Sequence, residues 1–185
     1  MSGGGLTPAQ GELFDSEYAM RSAGLSEQEV RDGIAFQEAR DNVMRGTLPW
    51  NEYAARLSSA TTQRWWRLPG TDLSGPAAAD DPFWENARRF YFYDPAPTLR
   101  ALRAPLLAIF GELDSPSGVK TNVAAMRSAL EEGRHPDFDV RVFPNGRHNL
   151  MDLTGFGPNE FPRLQRFVPG LFDTMVSWLE RQAKR

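Results

Sequence analysis

The feature that most constrains the fold of this chain is an uninterrupted apolar run, Leu106–Phe110, bounded by Pro105 and Gly111. A short run that is apolar at every position is typical of a β-strand covered on both faces inside a parallel sheet. An amphipathic helical pattern follows over 119–132. A second strand pattern follows over 138–143, where apolar and polar residues alternate. Strand, helix and strand in this order predict two parallel neighbours joined by a right-handed crossover.

Two residues with proton-transferring side chains come directly after these predicted strands. Asp114 lies in the turn after the first strand, and His148 ends the Pro-Asn-Gly-Arg-His turn after the second. Because the carboxyl ends of parallel strands meet at the edge where open α/β folds place active sites, we expect the two side chains to meet. A carboxylate beside an imidazole fixes its tautomer, so that the imidazole can act as a general base. The alternative is that both are ordinary turn residues.

Helical spacing and helix-capping residues predict that the first half of the chain is helical throughout. The expected helices, with their start and stop signals, are Thr7–Gly24, Ser26–Gly46, 51–66 and 83–92, the last one capped by Asp80 or Asp81. Turn-forming residues predict loops over 69–82 and 154–162. A final helix over 169–182 places an apolar set on one face: Leu171, Phe172, Met175, Trp178 and Leu179.

Composition argues against several functional classes. The formal net charge is −3 and the arginines are scattered among acidic residues, so the basic face that nucleic acid requires is missing. There are no cysteines and only two histidines, and His135, beside Pro136 in a polar loop, is expected to lie in solvent. A metal site would therefore need mostly carboxylates. No apolar run approaches a membrane span, and the N-terminus has no signal-peptide pattern. We expect a cytoplasmic protein that uses no metal or cofactor and binds neither nucleic acid nor membrane.

Several motifs of the second half occur in an order that matches a known family. They are Asp94-Pro95, Leu102–Asp114 (Leu-Arg-Ala-Pro-Leu-Leu-Ala-Ile-Phe-Gly-Glu-Leu-Asp), Val140–Pro144, His148 and Trp178-Leu179. Together they resemble the C-terminal third of an α/β-hydrolase, in the serine peptidase, esterase and thioesterase branch that carries a helical cap. In that family the Gly-x-x-Asp after the penultimate strand supplies the acid of the triad, and the histidine after the last strand completes it. These positions match Asp114 and His148.

The resemblance implies a division of the chain into three segments. Residues 1–5 would be the remnant of a turn or a leader, 6–97 a helical cap or lid, and 98–185 the C-terminal α/β-hydrolase segment with the acid and the histidine. Two strands are fewer than the five or six of an ordinary doubly wound sheet. We therefore expect an exposed sheet edge through which the chain self-associates or binds a partner.

No nucleophile accompanies the expected acid and base. No serine has glycine at both the −2 and the +2 position, and a His-Gly-Gly-Gly oxyanion motif is also missing. The resemblance thus implies part of a serine hydrolase that cleaves esters, thioesters or peptide-like amides through an acyl-serine. The isolated chain is expected to be inactive, because oxyanion stabilisation is usually the largest catalytic contribution.

Two alternatives remain open beside this interpretation. The chain could be a non-catalytic binding module or truncated relic that docks on another protein, or the nucleophile could be an aspartate, as in dehalogenase-type relatives. The aromatic residues of the helical half also allow two interpretations: Trp50, Trp65, Trp66, Trp84, Tyr91 and Phe92. They predict either a packed core or a pocket for a small-molecule or peptide substrate with an apolar acyl or aromatic group.

Overall fold

The computed structural model describes residues 4–66, 68, 80, 82–154 and 166–184, without the side chains of Phe83, Asn86, Pro116 and Ser117. The loops expected over 69–82 and 154–162 fall largely outside these residues, as does Asp81. The chain divides at Asp94–Pro95 into two compact units. The helical unit begins at Thr7 and ends at Asp94, and the α/β unit combines residues 4–6 with the chain from Pro95 onward.

Four helices build the helical unit: α1 (Pro8–Ser22), α2 (Glu27–Arg45), α3 (Trp50–Ala60) and α4 (Pro82–Tyr91). Both expected capping boxes are present, and Gly46 ends α2 in the left-handed conformation with φ of 75°. The prediction that α3 continues to residue 66 was wrong. Ser58, Ser59, Thr61 and Thr62 each turn the hydroxyl back onto the carbonyl three residues earlier. Such bonds compete with the helical ladder, and turns replace the helix after Ala60.

Aromatic rings form the core of the helical unit. Phe36 lies 5.3 Å from the ring centroid of Tyr53 and 5.4 Å from that of Trp65, and all three side chains are buried. Trp84 and Tyr91 are buried in a second cluster with Ala9, Met44 and Ala87. Trp50, Trp66 and Phe92 are half-buried and pack against these two clusters. The packed-core interpretation therefore accounts for all six aromatic residues that the sequence singled out.

A buried polar cluster joins three helices of this unit. Nη2 of Arg40 in α2 donates to Glu12 Oε2 of α1 at 3.0 Å and to the hydroxyl oxygen of Tyr91 in α4 at 2.6 Å. The Tyr91 hydroxyl in turn donates to Glu12. Asp41, next to Arg40, is buried, and burial raises the pKa of its carboxyl although Arg40 acts in the opposite direction.

Substitution of Asp41 by Asn should change how stability depends on pH. The raised pKa of Asp41 means that the folded chain binds this proton more tightly than the unfolded chain. Asp41 therefore contributes its full stabilisation below the pKa that it has in the unfolded chain. This contribution is lost as the pH rises through the higher pKa that it has in the folded chain. Relative to the wild type, Asp41→Asn should therefore gain stability as the pH rises above about 4, measured by urea unfolding. Asp32→Asn, on the exposed face of α2, is the control. Parallel pH profiles for Asp41→Asn and the wild type would contradict the prediction.

The α/β unit contains α5 (Ala96–Ala101), β1 (Leu106–Gly111), α6 (Pro116–Glu132), β2 (Phe138–Phe143) and α7 (Leu171–Ala183). β1 and β2 pair in parallel, with a register that runs from Leu106 opposite Phe138 to Gly111 opposite Phe143. The predicted α/β class and the parallel strand pair are therefore confirmed. A helix crosses between the strands, as a parallel connection requires.

The two faces of the sheet are covered unequally. Leu106, Ala108 and Phe110 of β1 pack with α6 through Met126 and Leu130. On the other face, Ile109 joins a small cluster of Phe143, Val168 and Leu171. The expected coverage of β1 on both faces is only partial, because residues 106–109 are half-buried. In the described part of the chain, only β2 pairs with this strand.

Helix α7 leaves most of its apolar face in solvent. Leu171 is buried against Phe143, but Phe172 and Leu179 are each 58% exposed. We call Phe172, Met175, Val176 and Leu179 the α7 stripe; all four are exposed. Arg181, about two and a half turns from Phe172 and so on the opposite side of the helix, lies 4.0 Å from Asp139 of β2. The α7 stripe is therefore turned away from β2.

Residues Gly4 and Gly5 pack against α6. The Gly5 N–H donates to Asn122 Oδ1 at 2.5 Å, and a Cβ at Gly5 would lie 2.2 Å from the Met126 nitrogen. Only glycine allows so close an approach of two backbones. No helix in the described ranges has the length and apolar character to cross a bilayer.

Candidate active site

The structure brings together the two residues that the sequence singled out. Nδ1 of His148 lies 2.9 Å from Oδ2 of Asp114, although the residues are 34 positions apart in the chain. Because the register places Gly111 opposite Phe143, the two turns begin at the same end of the sheet. The Asp114 side chain is 24% exposed and that of His148 is 55% exposed, so the pair is accessible from solvent.

Backbone hydrogen bonds continue the strand pairing into the two turns. The Glu112 N–H donates to the Phe143 carbonyl at 3.0 Å, and the Leu113 N–H donates to the Gly146 carbonyl at 2.8 Å. The Asn145 N–H donates to a carboxylate oxygen of Glu112 at 3.3 Å. These bonds fix the turn that carries Asp114 against the turn that precedes His148.

Gly111 makes this close approach of the turns sterically feasible. A Cβ at Gly111 would lie 2.3 Å from the Arg147 carbonyl oxygen and 2.6 Å from that of Gly146. Both obstacles are backbone atoms, which cannot rotate away as a flexible side chain could. Sequence reasoning missed this role, and its signal is the glycine at the end of an apolar strand.

His148 lies at the tip of a short hairpin. The Leu153 N–H donates to the Asn145 carbonyl at 2.9 Å, and the Arg147 N–H donates to the Met151 carbonyl at 3.2 Å. The tip is closed by the Leu150 N–H, which donates to the Arg147 carbonyl at 2.8 Å. Leu150 has φ of 60°, an uncommon conformation for a residue other than glycine. The hairpin thus projects the imidazole toward Asp114 from a tightly bonded base.

The geometry of the pair determines what chemistry it can perform. A carboxylate accepts only, so Asp114 places the imidazole proton on Nδ1 and leaves the Nε2 lone pair free to accept another proton. The carboxylate also stabilises the imidazolium that results. Among the described residues, no hydroxyl is hydrogen-bonded to Nε2. Nor do three His, Asp or Glu side chains of these residues group as metal ligands.

His135 does not lie in solvent, so that prediction was wrong. Its side chain is buried, and its ring lies edge-on to Phe138 at 5.9 Å. Nε2 donates to the Ala104 carbonyl at 3.0 Å, and Nδ1 accepts from the Asp137 N–H at 3.2 Å. Backbone groups satisfy both nitrogens, which allows the ring to be buried and to join the segments that precede β1 and β2.

Sequence reasoning also missed two buried polar residues near the pair. Ser115, directly after Asp114, occupies the N-cap position of α6 without a capping hydrogen bond, and its buried hydroxyl has no hydrogen-bond partner among the described residues. Asp152 lies at the base of the His148 hairpin, and its side chain is buried. A single sequence gives no signal for either, because polar residues in turns are ordinarily exposed.

Comparisons of this chain with models of protein families, with curated proteins and with solved structures find no match. The function is therefore inferred from the geometry of Asp114 and His148 and from the motifs around them.

Substitution of Gly111 by Ala should separate Asp114 from His148. The added methyl group would displace the backbone at Gly146 and Arg147, and the imidazole would lose its carboxylate partner. We expect ¹⁵N NMR of the imidazole at alkaline pH to show a loss of the Nδ1–H tautomer.

The matched control for this test is Gly11→Ala in α1, where a Cβ would meet no atom within 4 Å. That substitution should leave the tautomer unchanged and favour the helix. A folded Gly111→Ala protein that keeps the Nδ1–H tautomer would show that the glycine does not position the pair.

Proposed function

We propose that this chain supplies the general base and the orienting acid of a serine hydrolase. The observation that carries the proposal is the 2.9 Å contact between His148 Nδ1 and Asp114 Oδ2, at the carboxyl ends of adjacent parallel strands. The order of acid before histidine along the chain agrees with that of α/β-hydrolases. A lone turn residue would need neither the close-packed glycine nor the bonded hairpin that surround this pair.

The chemistry proposed for His148 begins with removal of a proton from a serine hydroxyl by Nε2. The serine oxygen attacks the substrate carbonyl, and Asp114 stabilises the imidazolium that forms. The imidazolium then protonates the leaving group, and an acyl-serine results. In the second half of the reaction, His148 takes a proton from water as the water oxygen attacks the acyl carbonyl. The imidazolium then returns that proton to the serine oxygen, which releases the carboxylic acid and the free serine.

The fold that we propose is the C-terminal part of an α/β-hydrolase preceded by a helical cap. The β1–α6–β2 crossover, with Asp114 and His148 at its end, supports the α/β-hydrolase part. The helices α1–α4 that precede it along the chain support the cap. The nucleophile would come from residues outside this sequence, in the same gene or on a partner chain. The expected substrates are esters, thioesters or peptide-like amides.

The decisive experiment uses the protein expressed from its native gene, including any coding sequence that adjoins these 185 residues. That protein should hydrolyse p-nitrophenyl esters and react with a fluorophosphonate probe. His148→Ala should lower the rate of ester hydrolysis by about 10²–10⁴-fold, the usual contribution of a general base. Lys120→Ala, at an exposed position on α6, is the control and should retain full activity.

The isolated 185-residue chain provides a second readout. It should not react with the fluorophosphonate, because it contains no nucleophile elbow. Labelling of the isolated chain would place the nucleophile within it and contradict the proposal. Equal activity of His148→Ala and the wild type would remove the proposed role of the histidine.

A second candidate function is a non-catalytic docking module, with a second copy of the chain as its partner. The observation that favours it is the exposed α7 stripe, which continues to Phe167, whose ring centroid lies 5.2 Å from that of Phe172. A contiguous exposed apolar surface often marks a protein–protein interface. In the described residues β1 also has one unpaired edge, and such an edge can accept another strand.

The docking function predicts that Val176→Lys converts an oligomer into a monomer, because it places a charge in the middle of the α7 stripe. Sedimentation velocity measures this directly. Asp114→Asn with His148→Ala is the matched control and should leave the oligomer intact. A wild-type chain that is monomeric at all concentrations tested would exclude self-association through this surface.

A further inference from the structure

Asp152 is a buried carboxylate for which the proposed reaction gives no direct use. Its side chain is 2% exposed, and it lies four residues after His148, paired with Gly146 across the hairpin. Burial of a charged group is unfavourable unless it is paired or hydrogen-bonded. Hydrogen-bond donors around Asp152 must therefore compensate for the burial of its charge.

Three donors satisfy the Asp152 carboxylate. Oδ1 accepts from the Thr154 N–H at 2.8 Å and from the Thr154 hydroxyl at 2.6 Å. Oδ2 accepts from Arg166 Nε at 2.9 Å. The hydrogen bonds from Thr154, with a smaller contribution from Arg166, hold the pKa of Asp152 below its ordinary value. The group is thus ionised and serves as an acceptor for both partners.

Backbone bonds beside these partners connect two short segments, 150–152 and 166–168. The Asp152 N–H donates to the Arg166 carbonyl at 3.0 Å, and the Val168 N–H donates to the Leu150 carbonyl at 2.9 Å. Met151 pairs with Phe167 in the antiparallel sense. The side chain and the backbone of Asp152 therefore both bind the His148 hairpin to the segment that leads to α7.

The Asp114–His148 contact by itself cannot hold the imidazole. The His148 side chain is 55% exposed, and hydrogen-bonded ion pairs at exposed positions contribute little, because water competes for both groups. The position of the imidazole must therefore be set by the backbone of the hairpin. At the base of that hairpin lies the carboxylate of Asp152, which is buried and accepts three hydrogen bonds.

We propose that Asp152 is a positioning residue, which through Thr154 and Arg166 holds the His148 hairpin so that the imidazole stays within hydrogen-bonding distance of Asp114. This inference rests on the proposed acid–base role of the pair. Asp152 takes no part in proton transfer. It restricts the hairpin to the conformation in which Asp114 selects the Nδ1–H tautomer of His148.

The test measures the His148 tautomer by ¹⁵N NMR of the imidazole at alkaline pH. In Asp152→Asn an amide nitrogen replaces one oxygen, so at least one of the three donors loses its acceptor. We expect the Nδ1–H form to fall to the level of Asp114→Asn. Asp139→Asn is the matched control, because Asp139 is also paired with an arginine, Arg141 at 2.8 Å, but lies near the other end of β2. It should leave the tautomer unchanged.

Two further variants keep the test informative if Asp152→Asn fails to fold. Thr154→Val and Arg166→Gln each remove one partner and leave the carboxylate in place, and each should lower the Nδ1–H fraction in a folded protein. A folded Asp152→Asn, or folded partner variants, with the wild-type tautomer would overturn the positioning role. If instead Asp114→Asn leaves the tautomer unchanged, the acid–base pair itself fails, and with it the proposed function.

Discussion

Parallel pairing of β1 with β2 is the interaction on which the candidate site depends. The pairing ends with Gly111 opposite Phe143, and backbone bonds from Glu112 and Leu113 extend it into the turns. A shift of the register by one residue would carry His148 away from Asp114 and would move the apolar side chains to the wrong faces. The stability of the strand pair and the geometry of the acid–base pair therefore have the same origin.

The two units bury their apolar side chains to different extents. The helical unit packs the six aromatic residues that the sequence singled out into or against its own core clusters and joins α1, α2 and α4 through Arg40. In the α/β unit, by contrast, residues 106–109 are half-buried and the α7 stripe is exposed. Apolar surface of this kind is stabilised when further chain or a partner covers it. The proposed docking function uses that surface to bind another copy of the chain.

Local signals account for most of what could be predicted. Capping residues such as Thr7 and Ser26 determine helix starts through hydrogen bonds to residues three positions away. The apolar run of β1 and the alternation of β2 determine both strands, and the turn positions of Asp114 and His148 follow from them. The two failures have different causes. The end of α3 depended on local hydroxyl bonds to carbonyls three residues earlier, which helical spacing alone does not reveal. The burial of His135 depended on a long-range contact with a carbonyl 31 positions away.

The sequence by itself determined the order of the elements, the parallel strand pair and the placement of Asp114 and His148 in the turns after the strands, because each depends on neighbouring residues and on the period of apolar side chains. Tertiary structure decided which apolar faces are covered, and it decided that Asp152 is buried beneath His148 while the α7 stripe remains in solvent. Burial and partner choice depend on which distant backbone and side-chain groups fold into contact. The pattern of neighbouring residues along the sequence does not predict those contacts.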